Sequence, residues 1–439
     1  MPLSYLRKLL GFPGYCITKM TVEPRRCRHS VILELKRLRG PHACGKCDRP
    51  IRKPHSKWWI EVQHLPLWEY PTFLRVRRYR VACPQCGLTL APLPFAADGP
   101  MVTRSLAALV AELCKVMTVR AVATLMLLHR ATVKTLDKEA LRKVQAERPL
   151  DGISVVGADE IAVGKGQNYW TMISALEGPR GPELLSVVEG RKEKNLRPFW
   201  KWFGKDRAQL ITHAVLDMWR PFRNSFKAHC PGVQIIYDKF HVIRHLLEAL
   251  NEVRKTELRK AAGRFKGLLA GKKFVLLARR AHVRGQAREA LNELLGASRK
   301  LLKAHVLKES FNHLWSYQSK TCARRFFDDW VDQLKWSRLT PYHKFARMVE
   351  SHFDGILAYC DKKVSLGYIE STNLKAKNVI RRAYGYRDKE YMKLKIIQAC
   401  TPWMGRFHPW GWTCAHNFRL MTENCDCWIG VGAYRAPHK

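Results

Sequence analysis

Ile153-Ser154-Val155-Val156-Gly157-Ala158-Asp159-Glu160-Ile161 is the stretch on which the fold turns. Its apolar, β-branched run predicts a buried strand, and the run ends in an acidic pair, Asp159 and Glu160. A carboxylate there is costly to bury unless it is paired, hydrogen-bonded or bound to a metal. Taken alone, the pair reads first as a surface acid in a strand-to-turn step. Only further acids arriving in matching contexts overturn that reading.

Downstream, strand-like runs follow at 169–174, 184–188, 210–216 and 233–237. Turn-like segments at 164–166 and 178–182 separate the first three strands, which predicts an antiparallel meander. Helix-like segments around 194–204 and 219–229 flank the last two, which predicts parallel additions through crossovers. These are the makings of an RNase H-like mixed sheet. In such a sheet the fourth strand lies next to the first, so Asp217, at the end of the run 210–216, falls beside Asp159.

A third acid, Glu370, starts a predicted helix. At 100° per residue, Glu370, Asn373, Lys377 and Arg381 lie within about 80° of one another. Thr372, Ala376, Val379 and Ala383 occupy the opposite side, small enough to pack closely on a sheet. Three converging carboxylates hold two divalent metals about 3.5–4 Å apart, one activating water or a 3′-hydroxyl and the other stabilising the leaving oxygen. Mg²⁺ suits such oxygen ligands, and Mn²⁺ is the alternative. Asn373, Lys377 and Arg381, with Arg382 beside them, are expected to steady DNA phosphates.

The rest of the composition points to the same partner. Lys and Arg number 78 against 37 Asp and Glu in 439 residues, a formal charge of +41. That predicts a polyanion, nucleic acid before anionic membrane. A hydrophobic content of 46% excludes a disordered basic tail protein. No apolar run reaches the ~18 residues of a membrane span, and the N-terminus lacks the pattern of a signal peptide. The expected location is the cytoplasm, associated with the nucleoid.

Cys44-Gly-Lys-Cys47 and Cys83-Pro-Gln-Cys86 are two knuckles whose four thiolates complete one tetrahedral structural Zn²⁺ site. A long hairpin is expected to fill the 35 residues between them, with 74–81 as the strand that carries Arg75, Arg77, Arg78 and Arg80 toward phosphates. Cys16, Cys27, His29 and His42 rank as alternative ligands. Apolar spacing predicts short helices at 102–117, 119–128 and 131–144, which fit a helix-turn-helix. Residues 240–360 read as helical and basic, with 16 Lys/Arg against 4 Asp/Glu between 251 and 308. Trp315, Trp330 and Trp336 downstream are read mostly as core anchors rather than base-stacking groups. Cys414, His416, Cys425 and Cys427 are a second candidate metal cluster in the tail, with irregular spacing and one odd ligand type.

Asp159-Glu160-Ile-Ala, Leu216-Asp217-Met218, Tyr237-Asp238-Lys-Phe-His241-Val and Gly367-Tyr-Ile-Glu370-Ser-Thr-Asn373, followed by Arg381-Arg382-Ala-Tyr-Gly385-Tyr386, resemble DDE transposases of bacterial insertion sequences, most closely the ISL-three family. Where that family often has Asn-Gly before the Glu and Gly after it, this chain has Leu366-Gly367 and Ser371. The resemblance implies a metal-binding catalytic triad of Asp159, Asp217 and Glu370 with two Mg²⁺ ions. From its own place, at the end of the fifth strand and one strand further from the centre, Asp238 reads as a supporting residue rather than a ligand. His241 reads either as positioning a DNA phosphate or the scissile strand or as capping the sheet-helix junction.

The expected architecture is α/β and multidomain. A zinc-binding module spans 1–98, a helix-turn-helix 99–148 and the first part of an RNase H-like core 149–243. An all-α basic insertion covers 244–362, the last helix of the core 363–405 and a tail 406–439. The implied activity is strand cleavage and 3′-OH strand transfer at terminal inverted repeats and target DNA, by a homo-oligomer, a dimer on DNA. The alternative is a non-catalytic DNA-binding regulator derived from such an enzyme. A tyrosine recombinase, suggested by His241-Val-Ile-Arg244, fails because the next tyrosine after Arg244 is Tyr317.

Overall fold

The computed structural model describes residues 11–25, 28–164, 166, 168–365, 367–383 and 385–405. They divide into two compact units, one ending at Arg148 and including Trp403, the other running from Pro149 to Pro402. The tail cysteines and His416 lie outside the described residues, as does Cys27.

The first unit is built on a sheet of β1 (Tyr15–Arg25), β2 (Arg28–Arg37), β5 (Ser56–Leu67), β6 (Tyr70–Cys83) and β7 (Gly87–Leu90), with the small ladder β3 (His42–Ala43) and β4 (Pro50–Ile51) alongside. Its order is β1-β2-β6-β5, and β7 pairs with β6. The hairpin β5–β6 fills most of the sequence between the two cysteine pairs, turning at Trp68, whose φ is 53°. Alternation decides its two faces. Leu74 and Val76 point inward against Val62, Val31, Leu33, Leu35 and Ile17, while Arg75 and Arg77 point away.

Three helices follow, α1 (Arg104–Val116), α2 (Val119–Met126) and α3 (Arg130–Ala146). Side chains set each start. Thr103 accepts from the Leu106 N–H, Thr118 from the Ala121 N–H, and the His129 ring from the Ala131 N–H. Leu127, left-handed at φ 53°, ends α2 and reverses the chain. Leu106, Val110, Val122, Val133 and Leu136 form their shared core.

The second unit is organised by β8 (Val155–Ala162), β9 (Tyr169–Glu177), β10 (Glu183–Glu189), β11 (His213–Leu216) and β12 (Gln234–Tyr237), in the order β10-β9-β8-β11-β12. β8, β9 and β10 are antiparallel, and β11 runs parallel to both β8 and β12. Two strand boundaries differ from the sequence reading. β8 continues through the acids to Ala162, because Asp159 and Glu160 pair with Met172 and Thr171 of β9. β11 begins only at His213, and Leu210 is left exposed.

Both faces of this sheet are covered, which is why its strands read as unbroken apolar runs. Val156, Ala158, Ala214 and Leu216 face Leu196, Phe199, Phe203, Phe222 and Phe226 from the Glu193–Phe203 and Arg220–His229 helices. That core continues into the helical segment that begins with Lys239–Lys260 and ends with Phe353–Asp361. Val155, Val215 and Ile236 face Ala358, Tyr359, Val364 and Ile369 on the other side. Ile369 belongs to the Gly367–Arg382 helix, which buries Ile369, Thr372 and Ala376 as the small-residue side predicts. Gly157 permits its close approach, since a Cβ there would lie 2.8 Å from Ile369 Cδ1. In the helical segment Trp330 is a core anchor, 1% exposed, but Trp336 is 93% exposed and anchors nothing.

In the first unit, His64 joins sheet to helices through Nδ1, 2.9 Å from Thr103 Oγ1. Burial lowers its pKa to about 4. An unfolded histidine titrates near 6.5, so the unfolded chain binds the extra proton between those values and stability falls as pH falls. The histidine's contribution is complete above about pH 6.5 and declines by about 1.4 kcal/mol per unit toward pH 4. Thermal melts from pH 7 to 4 should show a shallower acid decline for His64→Gln than for the wild type.

Candidate active site and metal centre

The four cysteines of the two knuckles meet in the first unit. Among the described residues, Cys44, Cys47, Cys83 and Cys86 are the only His, Cys, Asp or Glu group whose ligand atoms all lie within 4.8 Å of one another. Cys47 and Cys83 sulfurs are 3.7 Å apart, against about 3.8 Å for the edge of a tetrahedron with 2.3 Å Zn–S arms. The donor set therefore fits a structural Zn²⁺. Cys16, His29 and His42 stay out of the group, and His42 packs instead on Tyr79 at 4.3 Å between ring centroids.

Hydrogen bonds prepare one thiolate. Thr89 Oγ1 lies 3.3 Å from Cys44 Sγ and the Lys46 N–H points at the same sulfur, lowering the Cys44 thiol to about 6. Cys86, beside the Cys47 sulfur, is pushed up to about 12. A cation is what would let all four ionise together. Gly45 keeps the knuckle tight, because a Cβ there would meet the Leu90 carbonyl oxygen at 2.2 Å.

The carboxylates gather in the second unit. Leu216 pairs with Ala158, so Asp217, just past the end of β11, falls beside Asp159 in the middle of its parallel neighbour β8. Residues of even spacing share a face, which puts Asp159 on the side of Val155 and Gly157, under the Gly367–Arg382 helix. Asn373 of that helix donates Nδ2 to Asp159 Oδ2 at 2.5 Å.

Asp238, after β12, accepts from the Phe240 N–H and so starts the Lys239–Lys260 helix. One turn on, His241 stands among three carboxylates. Its Nε2 is 3.7 Å from Asp159 Oδ1, and its Nδ1 is 3.3 Å from Asp238 Oδ2 and 3.9 Å from Asp217 Oδ1. Burial opposes its charge, but the Asp238 contact and the carboxylates of Asp217 and Asp159 prevail and raise its pKa. Burial also holds Asp159 above the usual carboxylate range, with His241 and Asn373 pulling the other way.

Glu370 lies on the exposed side of the helix, one turn before Asn373. The acids Asp159, Asp217 and Glu370 do not form a group with ligand atoms within 4.8 Å of one another. The hard oxygens of Asp159 and Asp217, which face the His241 ring and raise its pKa, are donors of the kind Mg²⁺ takes.

Glu160 is not the bystander that its place beside Asp159 suggests. It points to the other face and meets Arg191 Nη1 at 3.4 Å. The Arg191 guanidinium is held between the rings of Tyr169 and Trp219, 4.7 and 4.8 Å from their centroids, and Trp219 Nε1 donates to the Arg191 carbonyl. This ties β8 to the turn just after Asp217. Burial raises the Glu160 pKa against the pull of Arg191. The sequence signal was the Trp two residues after an acid, but nothing local links it to Arg191.

Of the arginines expected at phosphates, Arg75 is spent on Glu23 and Glu61, at 3.1 and 2.9 Å. Arg78 is half-buried, and burial lowers its pKa. Arg77 and Arg80 are exposed and lie over Trp59 and Trp58 at 5.0 and 5.6 Å. Lys377, Arg381 and Arg382 are exposed along the Gly367–Arg382 helix. Asn373, read as a phosphate contact, is committed to Asp159. No helix among the described residues is long and apolar enough to cross a membrane.

Residues 156–396 match a DDE family of the ISL-three type described as "Transposase", and residues 40–86 match the zinc-finger of transposases IS204/IS1001/IS1096/IS1165. The transposase for insertion sequence element IS1001 of Bordetella parapertussis is 31% identical over 399 residues, covering 90% of this chain and 97% of that relative. The transposase for insertion sequence element IS1557 of Mycobacterium tuberculosis is 24% identical over 379 residues, covering 79% and 83%.

Two outcomes follow from this geometry. Cys47→Ser should lower bound zinc from about one ion per chain to well below it, as read by elemental analysis, since a structural site needs four ligands. Arg191→Ala should destabilise the second unit by about 1–2 kcal/mol in denaturant titrations, because it strands the Glu160 carboxylate. Glu160→Gln should remove most of that loss in a double-mutant cycle.

Proposed function

Since the chain belongs to the ISL-three family of DDE transposases, we propose that it binds the terminal inverted repeats of an insertion sequence, cuts there and joins the freed 3′-OH to target DNA. The second unit is read as an RNase H-like core with a helical insertion, a reading supported by the 3-2-1-4-5 strand order and its mixed directions. The zinc module and α1–α3, read as a helix-turn-helix, are assigned to end recognition, with α3 in the major groove.

The observation that carries the proposal is the Asn373–Asp159 hydrogen bond. It joins the helix that bears Glu370 to the strand that bears the first acid, beside Asp217. Asp159, Asp217 and Glu370 are the proposed ligands of two divalent ions, Mg²⁺ or Mn²⁺. Such ions, when bound, activate the attacking oxygen and stabilise the leaving one.

The remaining roles fall to the chain's own groups. Asn373 fixes the rotamer of Asp159 through Oδ2, while Oδ1 accepts from the Glu160 N–H at 2.7 Å and faces His241, with a second lone pair to offer a metal. His241 reaches Asp159, Asp217 and Asp238 from one ring and positions them. Lys377, Arg381 and Arg382 offer exposed cations for phosphates along one helix. A homo-oligomer, a dimer, would hold two DNA ends at once.

Asp159→Asn, Asp217→Asn and Glu370→Gln should each leave end-DNA affinity within a few-fold of wild type. Each should cut Mg²⁺-dependent cleavage at an inverted repeat at least about 10²-fold, the scale of losing one transition-state contact. Tight binding by the unmutated protein with no cleavage in Mg²⁺ or Mn²⁺ would favour the regulator over the enzyme.

A further inference from the structure

Trp336 is the most exposed large apolar side chain among the described residues, at 93%. It sits in the short connection between the Lys320–Asp332 and Thr340–Ser351 helices. The connection is firmly held. Leu334, Ser337 and Leu339 are buried around it, at 0%, 8% and 2% exposure. The Ser337 hydroxyl donates to the Leu334 carbonyl at 2.8 Å and accepts from the Leu339 N–H at 3.3 Å. A Trp displayed on a pinned turn, with its near neighbours driven inward, is not a frayed end.

The turn also holds a strained residue. Arg338 is left-handed at φ 52°, a conformation that favours glycine and strains other residues. Its exposed guanidinium has no acidic partner among the described residues. Lys335, exposed and in a solvent-facing ion pair with Asp332 at 3.0 Å, precedes Trp336, and exposed Lys344 and Arg347 follow along the next helix. Residues 239–361 carry 25 Lys/Arg against 12 Asp/Glu, an excess of 13 positive charges. A second exposed ring in the same segment, Phe274 at 77%, likewise lies beside lysine, with Lys273 Nζ 5.4 Å from its centroid.

We propose that Trp336, with Arg338 and Lys335, is a DNA-base stacking site: the ring covers the face of an unpaired or unstacked base while the cations hold the adjoining phosphates. Charge decides between this occupant and a second copy of the chain. A copy would bring its own +41 to the same surface, whereas DNA supplies opposite charge and a π-face at every nucleotide. Transposition exposes such bases when strands are cut and separated, so the site rests on the transposase reading. It adds to that reading a grip on single-stranded DNA located in the helical segment.

The test uses the full-length protein without divalent metal, a fluorescently labelled 20-nucleotide single strand and the same sequence as a duplex. Trp336→Ala should weaken single-strand affinity about tenfold, the scale of one base–aromatic stack, with duplex affinity and melting temperature unchanged. Trp336→Phe should recover most of the loss. Equal single-strand binding by wild type and Trp336→Ala overturns the site. So does a Trp336→Ala change in sedimentation without DNA, which would assign the ring to a protein contact. Wild-type cleavage of inverted-repeat ends, measured separately, tests the transposase reading, which can stand while the site fails.

Discussion

The second unit depends on one close approach, the seating of the Gly367–Arg382 helix on β8. Gly157 leaves room for Ile369, and one turn later Asn373 reaches Asp159. The bond spans 214 residues. Apolar burial sets the distance, and the amide then fixes a carboxylate that the same burial would otherwise drive toward its neutral form. A side chain at 157 would lift the helix and release both contacts.

Charge in this unit is managed by face. Odd-numbered positions of β8 look toward the helix and bring Asp159 to Asp217 and His241. The neighbouring Glu160 looks the other way and is neutralised by Arg191 between two rings. Two adjacent acids thus avoid sharing one pocket. The imidazole lies among three carboxylates because Asp238 both caps the helix and faces it. Those carboxylates favour the protonated ring and so raise its pKa against the opposing effect of burial.

The zinc module solves a different problem. Its sheet buries a modest core, and its long hairpin returns the second cysteine pair to the first, where their sulfurs come within 4.8 Å of one another. The arginine-rich strand is less free than its composition suggests. Arg75 belongs to a network with Glu23, Glu61 and Arg25, leaving Arg77 and Arg80 outermost, each over a tryptophan.

Much of this was legible in the chain because it follows from local rules. Spacing of apolar residues located α1–α3 and the strands, Cys-x-x-Cys pairs located the metal site, and motif residues located the family. Alternation along a strand, had the strand been carried past Asp159, would also have separated Glu160 from it. Pairing with β9 sets where β8 ends, however, and that partner is not visible in β8 itself. The same limit explains Arg75, Asn373 and Trp336. A side chain's type states what it can bond, but whether Arg75 meets a phosphate or Glu23, and whether Trp336 is covered or displayed, depends on what packing brings against it. The sequence by itself determined which groups this protein owns and which helices and strands carry them. Tertiary structure alone decided which of those groups spend their charge on one another, because burial and reach are properties of neighbours distant in the chain.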